Sequence, residues 1–383
     1  MTILFHRPTP WSSKINCSTK IYSKLFAEKG HNVIYLQSNV NLYHLITRRG
    51  YYKVWKEGSY KSDGVWVTCA FSLIPYLDKF GKYSKLFIKL SYFLCIPSIR
   101  KSVLAAGYGN PQVIWTTIPG STILKDIFPK STLIFHCIDS YSAYRGLQII
   151  GLELQDYKKA DHVFVIGESL KIHIKSLGIP ENKITNLGQG VDIRLYRGEI
   201  DCPTDLVDVK SPIAIWVGVV EKIDMKFLAC LEDSMSRRGG SVVIIGPDKR
   251  KLMEKYRSSQ NVFFLGPKTF SEVPKYLQNS DIGVMLYSRS NQEIYAGQHP
   301  LKLYEYAAAG LPIISTWHDE YDTLKPPILL IDNEKDIEAA VDNALVNPTV
   351  WREKVLTFAS ENSWLKCLSR AEIVITNKIK NKR

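Results

Sequence analysis

Lys302 and Glu305 stand three residues apart in His299-Pro300-Leu301-Lys302-Leu303-Tyr304-Glu305-Tyr306-Ala307-Ala308-Ala309-Gly310-Leu311-Pro312. Pro300 suits a first helical turn and Gly310 a helix stop, so the spacing predicts a helix over Leu301–Ala309 with both side chains on one face. A helix N-terminus offers free N–H groups to an anion, and a lysine in its first turn adds a full charge suited to a diphosphate. A carboxylate one turn deeper can accept both hydroxyls of a ribose. The same spacing also makes an ordinary surface ion pair, and spacing alone leaves both readings open. His299 can touch such an anion or cap the helix. A second carboxylate, Asp139, follows the apolar run Leu133–Phe135 in Leu133-Ile134-Phe135-His136-Cys137-Ile138-Asp139-Ser140. At the carboxyl edge of a strand it can take a proton from a hydroxyl as a general base. An Asx turn or a cap with Ser140 is the other use of an aspartate there. His136, Cys137 and Tyr141 read as packing around it.

Other chemistries lack their residues. No two aspartates stand at D-x-D spacing, and no His/Cys cluster has metal-ligand spacing. No G-x-x-x-x-G-K-[ST] loop and no G-x-G-x-x-G opens the first helix.

Strands must carry these groups, and the chain supplies them in two series. In the first, Thr2–Phe5, His31–Leu36, Val113–Thr116, Leu133–Phe135 and His162–Ile166 are apolar runs. Helical patterns over Cys17–Lys29, Glu153–Lys159 and Glu168–Leu177 alternate with them. In the second, Ile213–Val217, Ser241–Ile245, Val262–Leu265, Ile282–Leu286 and Pro312–Ser315 alternate with helices over Asp224–Arg237, Glu272–Asn279 and Leu301–Ala309. Repeated strand-helix-strand units of this kind predict parallel sheets. The polar stretch Gly198–Ser211 reads as the join. Ligands of such sheets bind outside the carboxyl ends of the strands.

The segment His299–Ser315 resembles the nucleotide-sugar-binding helix of GT-B fold glycosyltransferases. Glu361-Asn362-Ser363-Trp364 resembles the start of their C-terminal crossing helix, and Asn186–Asp192 (NLGQGVD) their hinge-side loop. The retaining families carry two glutamates separated by seven residues, but eight positions before Glu305 stands Gly297, and Glu293 is twelve positions back. The sequence is more similar to the membrane-associated inverting glucuronosyltransferases of xanthan gum assembly (GumK) and their relatives. The similarity lies in Leu133–Ser140, in Gly188–Asp192, and in Leu286-Tyr287 followed by Leu301-Lys302. Glu305 stands where those enzymes have an amide, and Pro267 where they have an acid. The resemblance implies an α/β, GT-B architecture of two Rossmann-like doubly wound domains facing across a cleft. Residues 1–197 would bind the acceptor, 198–350 the nucleotide sugar, and helices in 351–383 would cross back. It implies Asp139 as catalytic base and donor contacts from Asp192, Gly218, Tyr287, Leu301, Lys302 and Glu305. The implied reaction is metal- and cofactor-independent, inverting sugar transfer from a UDP-sugar to a polyprenyl-diphosphate-linked saccharide. Capsule, O-antigen or exopolysaccharide assembly is the implied setting. A retaining transferase and a UDP-sugar 2-epimerase of the same fold are the rival readings.

The 383 residues carry 50 Lys and Arg against 37 Asp and Glu, a net charge of +13, and 45 % are hydrophobic. This is a globular composition with a basic excess that calls for an anionic partner. Charge alone would also fit nucleic acid, but no binding module of that kind is visible, so none is expected as a partner. Seven cysteines without C-x-x-C spacing fit a reducing compartment. No leader and no apolar run of ~18 residues is expected from the sequence. Lys79–Leu94 reads as an amphipathic helix, with Phe80, Tyr83, Phe87, Leu90 and Leu94 as its apolar stripe and Lys79, Lys82, Lys85 and Lys89 at its edge. Arg48–Lys56 mixes cations with aromatics. Both fit docking on the anionic cytoplasmic face of a membrane; a core-packed helix with a solvated edge fits the first equally well.

Overall fold

The structure is a computed structural model that describes residues 1–383 except 8, 14–16, 38, 48, 75–83, 143–145, 147–148, 199–200, 289–298 and 383. Arg48, Lys79, Phe80, Lys82, Tyr83, Glu293 and Gly297 therefore lie outside the described residues. The chain forms two compact units, Met1–Gly188 with Cys367–Arg383, and Gln189–Lys366. Gly198–Ser211 falls within the second span, where Leu206 is buried in that unit's core.

The first unit is built on an eight-stranded sheet. Its strands are β1 (Thr2–His6), β2 (Asn32–Leu36), β3 (Tyr60–Ser62), β4 (Val65–Thr68), β7 (Val113–Thr116), β8 (Thr132–Cys137), β9 (His162–Val165) and β10 (Ile184–Asn186). They are ordered β10-β9-β8-β7-β1-β2-β4-β3, parallel except for the β3/β4 hairpin. The β1 register pairs Ile3 with both Val33 and Val113. The central strands are largely apolar because both faces are covered, and β1, β7 and β8 are buried along their whole length. A two-stranded piece, β5 (Phe71–Ser72) with β6 (Cys95–Ile96), lies beside helices α2 (Leu42–Thr47), α3 (Arg49–Glu57) and α4 (Lys85–Phe93). The helix α1 (Ser18–Glu28) crosses from β1 to β2, and α5 (Ile150–Lys159) precedes β9.

In α4 the buried residues are Ile88 and Ser91, whereas Phe87 and Leu94, part of the expected apolar stripe, are exposed. The core takes the flank of the helix at Ile88 and Ser91. Of the described stripe residues, Phe87 and Leu94 are on the surface and Leu90 is half-buried.

The second unit is a six-stranded parallel sheet. Its strands are β11 (Ile213–Val217), β12 (Ser241–Ile245), β13 (Val262–Gly266), β14 (Ile282–Met285), β15 (Ile313–Thr316) and β16 (Leu329–Ile331), ordered β13-β12-β11-β14-β15-β16. Helix α6 (Met225–Arg237) starts at Asp224, whose carboxylate accepts from the Lys226 and Phe227 N–H groups. Helix α7 (Leu301–Ala309) ends at Gly310 with φ +79°, the left-handed conformation that favours glycine. Tyr306 anchors α7 to the sheet: its hydroxyl accepts from Val217 N–H at 2.8 Å and its ring lies where a Cβ on Gly283 would clash. That packing sets the N-terminus of α7 beside the carboxyl end of β11. Among the described residues no helix is long and apolar enough to cross a membrane.

Candidate active site

At the carboxyl end of β11 the chain turns at Gly218, φ +145°. A Cβ there would stand 3.0 Å from Lys302 Nζ. The neighbouring Gly246, after β12, is φ +146°, and a Cβ on it would meet the Gly218 carbonyl oxygen at 1.9 Å. Side chains are excluded at both positions, so backbone lines this edge of the sheet.

Lys302 lies in the first turn of α7 with its ammonium enclosed and without a hydrogen-bond partner among the described residues. It sits 3.3 Å above the centroid of the Trp216 ring and 4.9 Å from that of Tyr287. These cation–π contacts only partly replace its hydration. Burial foremost, and then the charge of Lys222, hold the Lys302 ammonium well below the usual lysine range, with Glu305 acting the other way. Glu305, one turn on, is pushed up to about 7 by burial, with Lys302 partly offsetting it. No ion pair within 4 Å joins Lys302 to Glu305 among the described residues, so the surface ion pair that the spacing allowed is not formed. A buried ammonium without partners costs free energy, and a ligand anion is the species that would offset it.

Tyr287 is buried behind this lysine, edge-on to Trp216 with centroids 5.5 Å apart. Its N–H donates to Thr316 Oγ1 at 3.0 Å. Leu301 is half-buried in the same turn as Lys302. Pro300 stands just before the helix with extended backbone, ψ 117°, and is therefore a cap residue. His299 is buried with its Nε2 against the Tyr304 hydroxyl, which serves packing. Asp192 is occupied by Arg194, whose Nε lies at 2.8 Å and one terminal nitrogen at 2.7 Å. It caps the short helix Ile193–Tyr196. Gly218, Tyr287, Lys302 and Glu305 thus gather at one place, and Asp192 is spent on a cap. Sequence reasoning missed Trp216 and Lys222. The available signal was their position, two residues before and four after the glycine that ends β11.

In the first unit Asp139 stands two residues beyond β8, half-buried at the carboxyl edge of the sheet. Its carbonyl oxygen accepts from Cys137 Sγ at 3.4 Å. Two residues on, the buried Tyr141 hydroxyl donates to the Thr117 carbonyl beyond β7. Arg7, after β1, reaches the same place and donates to Thr117 Oγ1 at 3.4 Å. His136 is enclosed by Tyr22, Trp115 and Phe164, and burial pushes it down to about 3. Burial pushes the Cys137 thiol up to about 12. Both are neutral packing groups. Among the described residues no group of three or more His, Cys, Asp or Glu is placed to hold a metal ion.

Residues 212–347 match the family model described as Glycosyl transferases group 1. Over 260 residues the chain is 26 % identical to TuaH of Bacillus subtilis (strain 168), named as a teichuronic acid biosynthesis glycosyltransferase. That match covers 62 % of this chain and 63 % of the relative, so the chain matches less than two thirds of that protein's length. Among solved structures, sucrose-phosphate synthase from Thermosynechococcus elongatus is similar with TM-score 0.66 at 13 % identity, covering 98 % of both chains. Anabaena Alr3699/HepE, solved with UDP and glucose, is similar with TM-score 0.63 at 12 % identity, covering 98 % of this chain and 99 % of that one. The chain has the GT-B fold, and within it residues 212–347 are similar to the glycosyl transferases group 1.

Proposed function

We propose that the chain is a glycosyltransferase that moves a sugar from a UDP-sugar to a hydroxyl of a lipid-linked saccharide, with inversion and without a metal. The observation that carries this reading is the enclosed, unpartnered Lys302 ammonium in the first turn of α7, beside Gly218 and one turn before Glu305. HepE with UDP bound supports the donor class, and the teichuronic acid for which TuaH is named supports a role in surface polysaccharide assembly. In this mechanism Lys302, Lys222 and the free N–H groups of α7 take up the charge that develops on the departing diphosphate. Glu305 accepts from the ribose hydroxyls. Asp139 removes the proton from the acceptor hydroxyl as its oxygen bonds to the anomeric carbon and the bond to the diphosphate oxygen breaks. Thermal shift against UDP-glucose, UDP-galactose, UDP-N-acetylglucosamine and UDP-glucuronate tests the donor class, since a bound ligand raises the melting temperature. Product NMR tests the anomeric outcome.

The pH dependence of UDP binding tests Glu305. Its raised value means that this group's contribution to stability is fully present below about 4.5 and is lost as pH rises through about 7. Binding that needs the carboxylate runs the opposite way. UDP affinity relative to Glu305→Gln should rise about tenfold from pH 6 to pH 8. The variant shares the titration of the phosphate, which cancels. A ratio that stays flat would remove Glu305 from the ribose.

The acceptor's lipid implies a membrane surface, and we propose that the first unit supplies it, at the cytoplasmic face. Of the 22 exposed large apolar residues among those described, 11 fall between Leu42 and Ile96. The same stretch of sequence, residues 42–96, holds 9 Lys and Arg against 3 Asp and Glu, six of the thirteen surplus charges. Trp55 packs on Phe71 (centroids 6.2 Å), Phe71 pairs with Ile96, and Leu73 N–H donates to the Leu94 carbonyl at 2.9 Å, so α3, β5/β6 and α4 are continuous. Each near-surface cation adds ~1 kcal/mol on an anionic leaflet. Flotation with phosphatidylglycerol vesicles should recover the protein at low salt and lose it as salt rises. Changing Ile46 and Trp55 to Ser together, or Lys85 and Lys89 to Glu together, should weaken recovery. Undiminished flotation of both variants would exclude this face.

A further inference from the structure

The loop that carries Asp139 is held from behind by one helix, α5. Asp156 in α5 is buried, 1 % exposed, and its two oxygens hold one turn: Gly120 N–H donates to Oδ2 at 2.5 Å, and the Thr122 hydroxyl donates to Oδ1. That turn follows β7, and its Gly120 has φ +87°. Thr117, at the start of the same turn, accepts from Tyr141, two residues after Asp139. The next residue of α5, Tyr157, lies 3.4 Å from Cys137 Sγ, and Cys137 donates to the Asp139 carbonyl. Tyr157 itself donates to Glu153 Oε1 at 3.2 Å, and Glu153 Oε2 has no partner among the described residues. Two consecutive residues of one helix therefore fasten the exits of two adjacent strands, β7 and β8. A buried aspartate is expensive in a core, and burial pushes this one up to about 7. Hydrophobic residues would hold α5 on the sheet at no such cost, but they could not satisfy the Gly120 N–H.

We propose that Asp156 is a positioning residue for Asp139, acting through the Gly120–Thr122 turn, Thr117 and Tyr141. The claim rests on the general-base reading of Asp139. Asp156→Asn keeps the shape but offers one acceptor oxygen where the carboxylate offers two, so a bond to the turn is lost or reversed, the turn shifts, and the tether from Tyr141 shifts with it. A carboxylate held to within about 0.5 Å is worth more than one left loose, and misplacement by 1 Å can cost about 100-fold.

The test is a double-mutant cycle on the full chain. Turnover is read as UDP release from whichever of the four UDP-sugars above reacts fastest. Asp156→Asn and, independently, Tyr141→Phe should each lower kcat by about 10- to 100-fold with KM for the UDP-sugar changed less than about threefold. UDP affinity by calorimetry should stay unchanged. In the Asp139→Asn background neither change should lower kcat further, because a residue acting only through Asp139 has nothing left to position. Losses that add to that of Asp139→Asn, or an unchanged kcat in both variants, would overturn the proposal while leaving the base in place. If Asp139→Asn alone keeps its kcat, the base reading fails and the positioning role fails with it. If Asp156→Asn does not fold, Tyr141→Phe carries the cycle alone, with circular dichroism confirming its structure.

Discussion

Asp139→Asn should lower turnover by about 10²–10⁴, the usual worth of a positioned proton acceptor. The change is nearly isosteric. Asp139 is half-buried beyond β8, and the contact from Cys137 goes to its main-chain carbonyl, which the substitution leaves in place. The fold should therefore survive, with a melting temperature close to that of the parent. UDP affinity should also survive, because Lys302, Glu305, Gly218 and Tyr287 belong to the other unit. The loss should appear in kcat and equally in kcat/KM, since removing the proton assists the transition state and not ground-state binding. Arg7 and Thr117 stand at the same sheet edge and give the control. Arg7→Lys keeps a cation there and should cost far less than Asp139→Asn. A turnover near that of the parent in Asp139→Asn would move the base elsewhere. In that event Glu168 and Asp192 are the carboxylates to change next, although Asp192 is already paired with Arg194.

How much of this was legible in the sequence depends on the range of the interaction that decides each element. Ile213–Val217, Ser241–Ile245 and Val113–Thr116 are strands with the bounds that their apolar runs predict, because buried parallel strands are apolar on both faces. Leu301–Ala309 is likewise a helix, ended by the glycine that the sequence offers. The β3/β4 hairpin carries its own signal in Asp63-Gly64, both with positive φ, but Tyr60–Ser62 is too short and polar to read as a strand. The helix α4 turns the flank at Ile88 and Ser91 inward: its periodicity marks a stripe but cannot say whether core or another surface covers it. At the site the glycine, the lysine and the glutamate were legible as residue types. That Lys302 hangs over Trp216 was not, since 86 positions separate them and only the packing of Tyr306 on β11 and β14 brings the two together. Asp192 is engaged locally, by an arginine two residues away.

Replacing Lys302 by Met should make the unliganded protein more stable and the nucleotide complex weaker. The first half follows from solvation. The ammonium is enclosed with no hydrogen-bond partner among the described residues, and a buried unsatisfied polar group costs about 1–3 kcal/mol, more when charged. Methionine is one atom shorter but keeps an unbranched chain that can pack on the Trp216 and Tyr287 rings without the charge. The melting temperature should therefore rise, by roughly 2–4 °C for each kcal/mol recovered in a unit of this size. The sign of the pH dependence follows from the lowered value of Lys302. Between its folded value and about 10.5 the unfolded chain binds the extra proton, so the lysine's cost is full at low pH and fades as pH rises. The stabilisation by Lys302→Met should fade over the same range. The second half follows from the ligand. A diphosphate gives the ammonium the charge-assisted partner that the free protein lacks, and losing it should weaken UDP by about 1.5–3 kcal/mol, or ~10- to 150-fold. Calorimetry with UDP and a thermal scan of the same two proteins measure both halves. The opposed signs are what identify a binding group held in readiness at the expense of the fold. A lysine with only a packing role would lose stability on substitution and leave UDP affinity where it was.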